Sequence, residues 1–175
     1  MSVGETIAEI ARWLVLWALL FAASAKSIGF LAFRESIAES FPRLSMRPGR
    51  WAVLVLVLEW GIGLAMLLSG GVLRAASLAA AVLFAFFTIV IGLALARGEA
   101  LVCTCFGAGG RQVGIADLIR GVLFSLAAAW AWIAAPSDRL PMQAQLLLAG
   151  IGIALVLPTV WMRESLWLLR ARAAE

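Results

Sequence analysis

Five long apolar stretches, approximately Trp13 to Phe33, Trp51 to Ser69, Ala75 to Ala96, Ile115 to Ala135 and Ala144 to Met162, take up most of the chain. Each is close to the length of about 20 residues that crosses roughly 30 Å of hydrocarbon as a helix. Only helices and closed barrels satisfy their backbone in lipid, and runs this long and this continuous fit helices. With 175 residues, 64% of them hydrophobic and 14% charged, little chain remains for a soluble domain. The mean hydropathy of +1.03 agrees. The expected architecture is therefore all-α: one integral membrane domain over residues 1–175, a bundle of four or five transmembrane helices in contact with the lipid bilayer.

The connections carry breakers: Pro42, Pro48 and Gly49, then Gly70 and Gly71, then a cysteine- and glycine-containing loop, then Pro136 and Pro141. Trp13, Trp51, Trp130, Trp132 and Trp161 fall near the expected span ends, where amphipathic rings favour the headgroup layer. Small residues recur within spans, at Gly61, Gly63 and Ala65, at Gly92 and Ala96, and at Gly150, Gly152 and Ala154. Such spacing suits close helix packing in lipid. Between the first two spans, Phe33 to Arg50 is too polar to cross, and Ile37, Phe41 and Leu44 share a helical face. A short helix in the interface and a plain solvated loop both fit. Ala23-Ser24-Ala25 after an apolar run resembles a signal-peptide cleavage site. Glu5 and Glu9 against the single Arg12 argue against one, and the first helix is retained.

A net charge of +4 could suggest nucleic acid. The arginines, however, are scattered through short connections without a basic stripe, so nucleic acid is not an expected partner. Histidine and tyrosine are both absent, which removes the usual general base and the usual zinc ligand.

Two charges stand inside the expected spans, Lys26 in the first and Glu59 in the second. A lone ionised group there costs several kcal/mol unless it is paired or wetted. If Phe33 and Trp51 mark one surface, the helical rise puts Lys26 about 10 Å and Glu59 about 12 Å below it, close enough to pair. The pair reads either as an intramembrane polar pocket for a quinone headgroup or a proton, or as a structural ion pair fixing helix register. Asp117 and Arg120 share one face near the start of the fourth span. Arg120 either snorkels to the surface or sits close enough to the preceding cysteine loop to lower a thiol pKa.

That loop reads LVCTCFGAGG and holds both cysteines of the chain, Cys103 and Cys105. Three explanations compete. The thiols are incidental and the protein is a membrane scaffold, or they bind or transport a thiophilic ion such as copper or mercury, or they form a redox dithiol. A resident zinc site is disfavoured, since the chain offers no histidine and only two thiolates for four positions. In the redox reading, a disulfide between residues one apart closes a small ring that departs from relaxed geometry, which favours exchange. No second dithiol exists for an internal relay, so electrons would pass to a quinone or to another protein.

The segment Cys103-Thr104-Cys105-Phe106-Gly107, between the third and fourth membrane helices, resembles the CxCFG motif of the MauE branch of the MauE/DoxX family. Lys26, the Phe41-Pro42 stretch, Glu59 and Arg120 also resemble that family's pattern, from the first helix through the fourth. Gly121 stands where the pattern leads one to expect asparagine. The resemblance implies a multi-pass protein of a bacterial-type cytoplasmic (inner) membrane, either an oxidoreductase or an accessory to one. Cys103 and Cys105 would exchange disulfides with a thioredoxin-fold partner of the MauD type, supported by Phe106, Gly107, Asp117 and Arg120. It implies a part in maturing an exported protein, such as the methylamine dehydrogenase small subunit. Oligomeric state is not implied.

The arginines pull the other way. With five spans, Arg34, Arg43, Arg47, Arg50, Arg97, Arg111, Arg163, Arg170 and Arg172 share the face of the cysteine loop, against Arg12, Arg74 and Arg139 opposite. The positive-inside rule places that loop in the cytoplasm, whereas making disulfides requires it outside. The motif favours the outside.

Overall fold

The computed structural model describes residues 3–41, 47–98, 102–103, 111–134 and 141–172. It is a polytopic helical bundle, and four of its helices are long and apolar enough to cross a membrane. In chain order these are α1 (Val3–Ile28), α3 (Pro48–Ala65), α4 (Gly71–Arg97) and α5 (Ile115–Ile133), with α2 (Phe30–Ser40) after α1 and α6 (Met142–Arg172) at the end. Two short strands, β1 (Val102–Cys103) and β2 (Arg111–Gln112), stand between α4 and α5.

The least obvious helix is the axis of the bundle. In α1, 61% of the apolar window is buried, against 17–22% in the other three spans. It packs against α3, α5 and α6. Its mean hydropathy is only 1.6, whereas lipid-facing α4 reaches 2.7. Lipid is as apolar as leucine, so hydrophobicity alone does not draw a helix inward; small side chains and satisfied polar groups do. Ala8, Ala11, Ala18, Ala22 and Ala23 supply the small surface of α1, and Val15, Leu16 and Leu19 fill its core.

The first helix starts at Val3, well before the expected Trp13, and stops at Ile28 rather than Phe33. Hydropathy penalises its first turns for Glu9 and Arg12, yet these two bond to each other and are buried. Trp13 consequently lies inside the bundle instead of at an interface. At the other end Gly29 leaves helical geometry at φ −96°, ψ 36°, and the remaining apolar residues Phe30, Leu31 and Phe33 open α2. Of the two readings left open for Phe33 to Arg50, a short helix is present, over 30–40. Its Phe33 and Ile37 pack on Ala52 of α3, while Leu44 lies outside the described residues.

Pro48 opens α3, where its missing N–H costs nothing. The turn into α4 uses Gly70 at φ +65°, and α4 ends on Gly98 at φ +67° in the left-handed region, with its N–H bonded to the last carbonyls. Two helix contacts depend on glycine. A Cβ on Gly152 of α6 would stand 3.0 Å from the Trp13 backbone, where Trp17 also donates to the Ala149 carbonyl at 3.1 Å. A Cβ on Gly121 of α5 would collide with Thr88 Oγ1 of α4. Phe84 and Phe124 stack nearby with centroids 5.3 Å apart. α6 runs through Pro158 and extends past the expected end at Met162.

Candidate functional site

The cysteine loop is anchored at both ends. β1 and β2 pair antiparallel, with Val102 opposite Gln112 and Cys103 opposite Arg111, so the chain on either side of residues 104–110 is held together. Cys105, Phe106 and Gly107 lie outside the described residues. β1 packs against α2, which puts the hairpin on the same face of the bundle as the first connection.

On leaving the hairpin, the chain enters α5 through Gly114. Asp117 Oδ2 accepts from the Gly114 N–H at 3.0 Å, and the Asp117 N–H donates to the Gly114 carbonyl at 3.0 Å. This satisfies an N–H that a helix start leaves open and places a negative charge at the positive end of the helix dipole. Arg120 Nη2 donates to Asp117 Oδ1 at 2.8 Å. The two residues singled out near the loop therefore bond to each other and cap the start of α5.

Lys26 and Glu59 also meet. Lys26 Nζ donates to Glu59 Oε1 at 2.5 Å, with side chains only 2% and 4% exposed. The ring centroid of Phe33 lies 5.6 Å from the ammonium, a cation–π distance, so α2 roofs the pair as well as touching the hairpin. Glu59 Oε2 is buried with no hydrogen-bond partner among the described residues. Along α1, Lys26 stands close to the end that carries α2 and the hairpin.

One polar cluster escaped the sequence reading. Arg12 Nε and Nη2 donate to the Met66 carbonyl at 2.9 and 2.8 Å, and Nη1 donates to Glu9 Oε2 at 3.1 Å. The guanidinium closes the C-terminal end of α3, where carbonyls lack helical partners and positive charge is favoured. The i, i+3 spacing of Glu9 and Arg12 was the available signal. Arg12 is accordingly a buried structural residue rather than a loop charge that reports topology.

Between α2, α3 and α4 lies a groove of about 930 Å³, running from Ile62 and Ala75 at one end to Phe41, Trp51 and Val113 at the other. Its second end adjoins the hairpin, since Val113 directly follows β2.

A membrane-embedded helical bundle with a hairpin holding a cysteine over one end defines the class: a multi-pass membrane protein. The family model of the methylamine utilisation protein MauE matches residues 4–134, from α1 through α5, and the chain belongs to that family, whose members are membrane proteins of methylamine utilisation. The matched region contains the hairpin and the Glu9–Arg12, Lys26–Glu59 and Asp117–Arg120 pairs, and α6 follows it. No curated protein and no solved structure matches the chain.

Proposed function

We propose that the protein is a membrane thiol–disulfide exchanger whose Cys103/Cys105 pair reacts with a thioredoxin-fold partner and supports disulfide formation in exported proteins. The observation that carries this reading is the hairpin. Cys103 lies in a strand fixed by pairing to β2 and by packing on α2, and the capped start of α5 follows directly behind β2. Such pairing fixes the backbone of Cys103 at the base of the loop, which suits a cysteine that an incoming thiolate must find in one place.

The exchange balances without a further reactant. A thiolate of the reduced partner attacks one sulfur of the Cys103–Cys105 disulfide, forming a mixed disulfide and releasing the other cysteine as thiolate. The partner's second thiolate then attacks its own sulfur in the mixed disulfide, leaving the partner oxidised and Cys103/Cys105 as the dithiol. Two electrons pass from partner to hairpin. The reaction calls for an oxidising compartment, so the hairpin faces away from the cytoplasm across a bacterial-type inner membrane.

The test uses reduced thioredoxin, with its resolving cysteine replaced, as a probe on membranes containing the protein. The wild-type chain forms a dithiothreitol-sensitive adduct, and C103S/C105S forms none. Failure of oxidised wild-type protein to form any adduct overturns the reading. Impermeant maleimide on intact cells labels the cysteines only after mild reduction if the hairpin faces outward. Labelling only after permeabilisation overturns that orientation.

A further inference from the structure

The α3 wall of the groove is built from two rows of residues four apart, Leu54, Leu58 and Ile62 in one and Trp51 and Val55 in the other. Residues at this spacing stand one above another on one face of a helix. One turn nearer the start of α3, the first row continues to Arg50 and the second to Arg47, and both arginines are exposed. The same face therefore changes from groove wall to basic head within a turn. Arg34 of α2 reaches this place too, since its Cδ lies 3.8 Å from where a Cβ on Gly49 would stand. Its ion pair with Glu35, at 4.0 Å and with both side chains well exposed, is too weak to keep it from another anion. The helix start adds positive charge of its own, because Arg47 is the N-cap of α3 and gives it no side-chain cap. Trp51, 43% exposed, stands at the level between the two parts, as tryptophan does at the headgroup layer. Below it the groove lining is apolar except for Ser36 and Ser40 of α2. On α4 the groove extends from Ala75 to Ile91, roughly 24 Å at about 1.5 Å of rise per residue, which exceeds the roughly 15 Å depth of one leaflet.

We propose that the groove binds an anionic phospholipid, its phosphate held by Arg34, Arg47 and Arg50 at the start of α3 and its acyl chain laid along Leu54, Leu58 and Val82. Arginines alone would draw any anionic lipid to the membrane surface, and a groove alone would accept any hydrocarbon. Their alignment on the same two rows of α3 selects a molecule that is anionic at one end and hydrocarbon directly beyond it. Guanidinium groups suit the headgroup because their planar fork can take two phosphate oxygens at once. The chain has a structural place as well: α3 and α4 pack on each other far less than α4 and α5 do, and the lipid fills the gap between them under α2. The site uses no cysteine and stands independently of the thiol-exchange reading.

The experiment adds equal amounts of dioleoyl phosphatidylglycerol and dioleoyl phosphatidylcholine, which share their chains and differ in net charge, to the purified protein in detergent, and reads the lipid retained by native mass spectrometry. Wild type should hold phosphatidylglycerol with a preference of at least about tenfold. R47Q/R50Q, changed only at exposed positions, should bring that preference close to parity. A79W/V82W, which fills the groove, should lower retention of both lipids. Melting in lipid-free detergent shows that the variants remain folded. Equal retention of the two lipids by wild type overturns the proposal, and so does an undiminished preference in R47Q/R50Q. Undiminished phosphatidylglycerol retention in A79W/V82W overturns the groove as its seat and leaves only attraction to surface arginines. Capture of the thioredoxin probe is read separately, so failure of the lipid site and failure of the exchange reading are distinct results.

Discussion

Removing one member of the Lys26–Glu59 pair should destabilise the protein far more than removing both. At 2.5 Å, with an effective dielectric constant of about 20, the pair has a gross attraction of about 6–7 kcal/mol, most of it offset by the cost of taking two charges out of water. Their net worth is small for that reason. K26M alone leaves Glu59 as a buried carboxylate with neither oxygen partnered among the described residues, since Oε2 already has no partner there. E59L alone strands an ammonium beneath the Phe33 ring. Each single change should cost about 3–5 kcal/mol, while K26M/E59L should lie within about 1–2 kcal/mol of wild type because an apolar pair fills the same space. The assay is reversible unfolding in mixed micelles on all four corners of the cycle. Coupling of at least about 3 kcal/mol is expected. Additive single effects, with coupling below about 0.5 kcal/mol, would refute the reasoning and mean that water or another group serves each charge separately.

The other buried contacts make narrower claims. R12A should cost about 3 kcal/mol or more in the same assay, by uncovering the Met66 carbonyl and stranding Glu9, and R12K should recover only part because an ammonium cannot reproduce the guanidinium fork. G121A should lower thermal stability by about 1–3 kcal/mol through collision with Thr88, and T88A in the same chain should restore most of the loss. D117A should cost about 1–2 kcal/mol and speed amide hydrogen exchange at Gly114 and the first turn of α5, leaving α1 protected.

The sequence disclosed more about pairs than about boundaries. Lys26 and Glu59 were readable as partners because a membrane span tolerates few charges and each needs an answer. Glu9 and Arg12 obey the same logic, but they stand at the edge of an apolar run, where hydropathy trims them off as flanking residues. The helix consequently seemed to begin ten residues late. The break at Gly29 was hidden for the opposite reason, since Phe30, Leu31 and Phe33 continue the apolar run although they belong to α2. Gly121, a departure from the expected asparagine, acquires its reason only when Thr88 of the neighbouring helix is placed beside it. The groove could not be read at all. It exists because α3 and α4 stand apart while α2 closes one end, and separation between helices leaves no periodicity in either.

The placement of charge along α1 separates what holds the bundle from what is open to chemistry. Arg12 closes the C-terminal end of α3 on one face, and Lys26 meets Glu59 under α2 toward the other, so the axial helix is pinned near both ends by groups whose partners are within the bundle. Pairing that is this buried fixes register without requiring that anything react there. The hairpin differs in position: it packs on α2, and β2 leads into the capped start of α5. α2 touches the hairpin, roofs the ion pair and also walls the groove. A shift of α2 would therefore alter the cysteine mount, the cover over Lys26 and the mouth of the groove together. I37A, which loosens α2 from Ala52, should consequently change the rate of thioredoxin-probe capture, whereas R12K, at the opposite end of the axis, should lower stability and leave that rate unchanged. If I37A left the capture rate unchanged, α2 would be a passive cover and the hairpin would be independent of it.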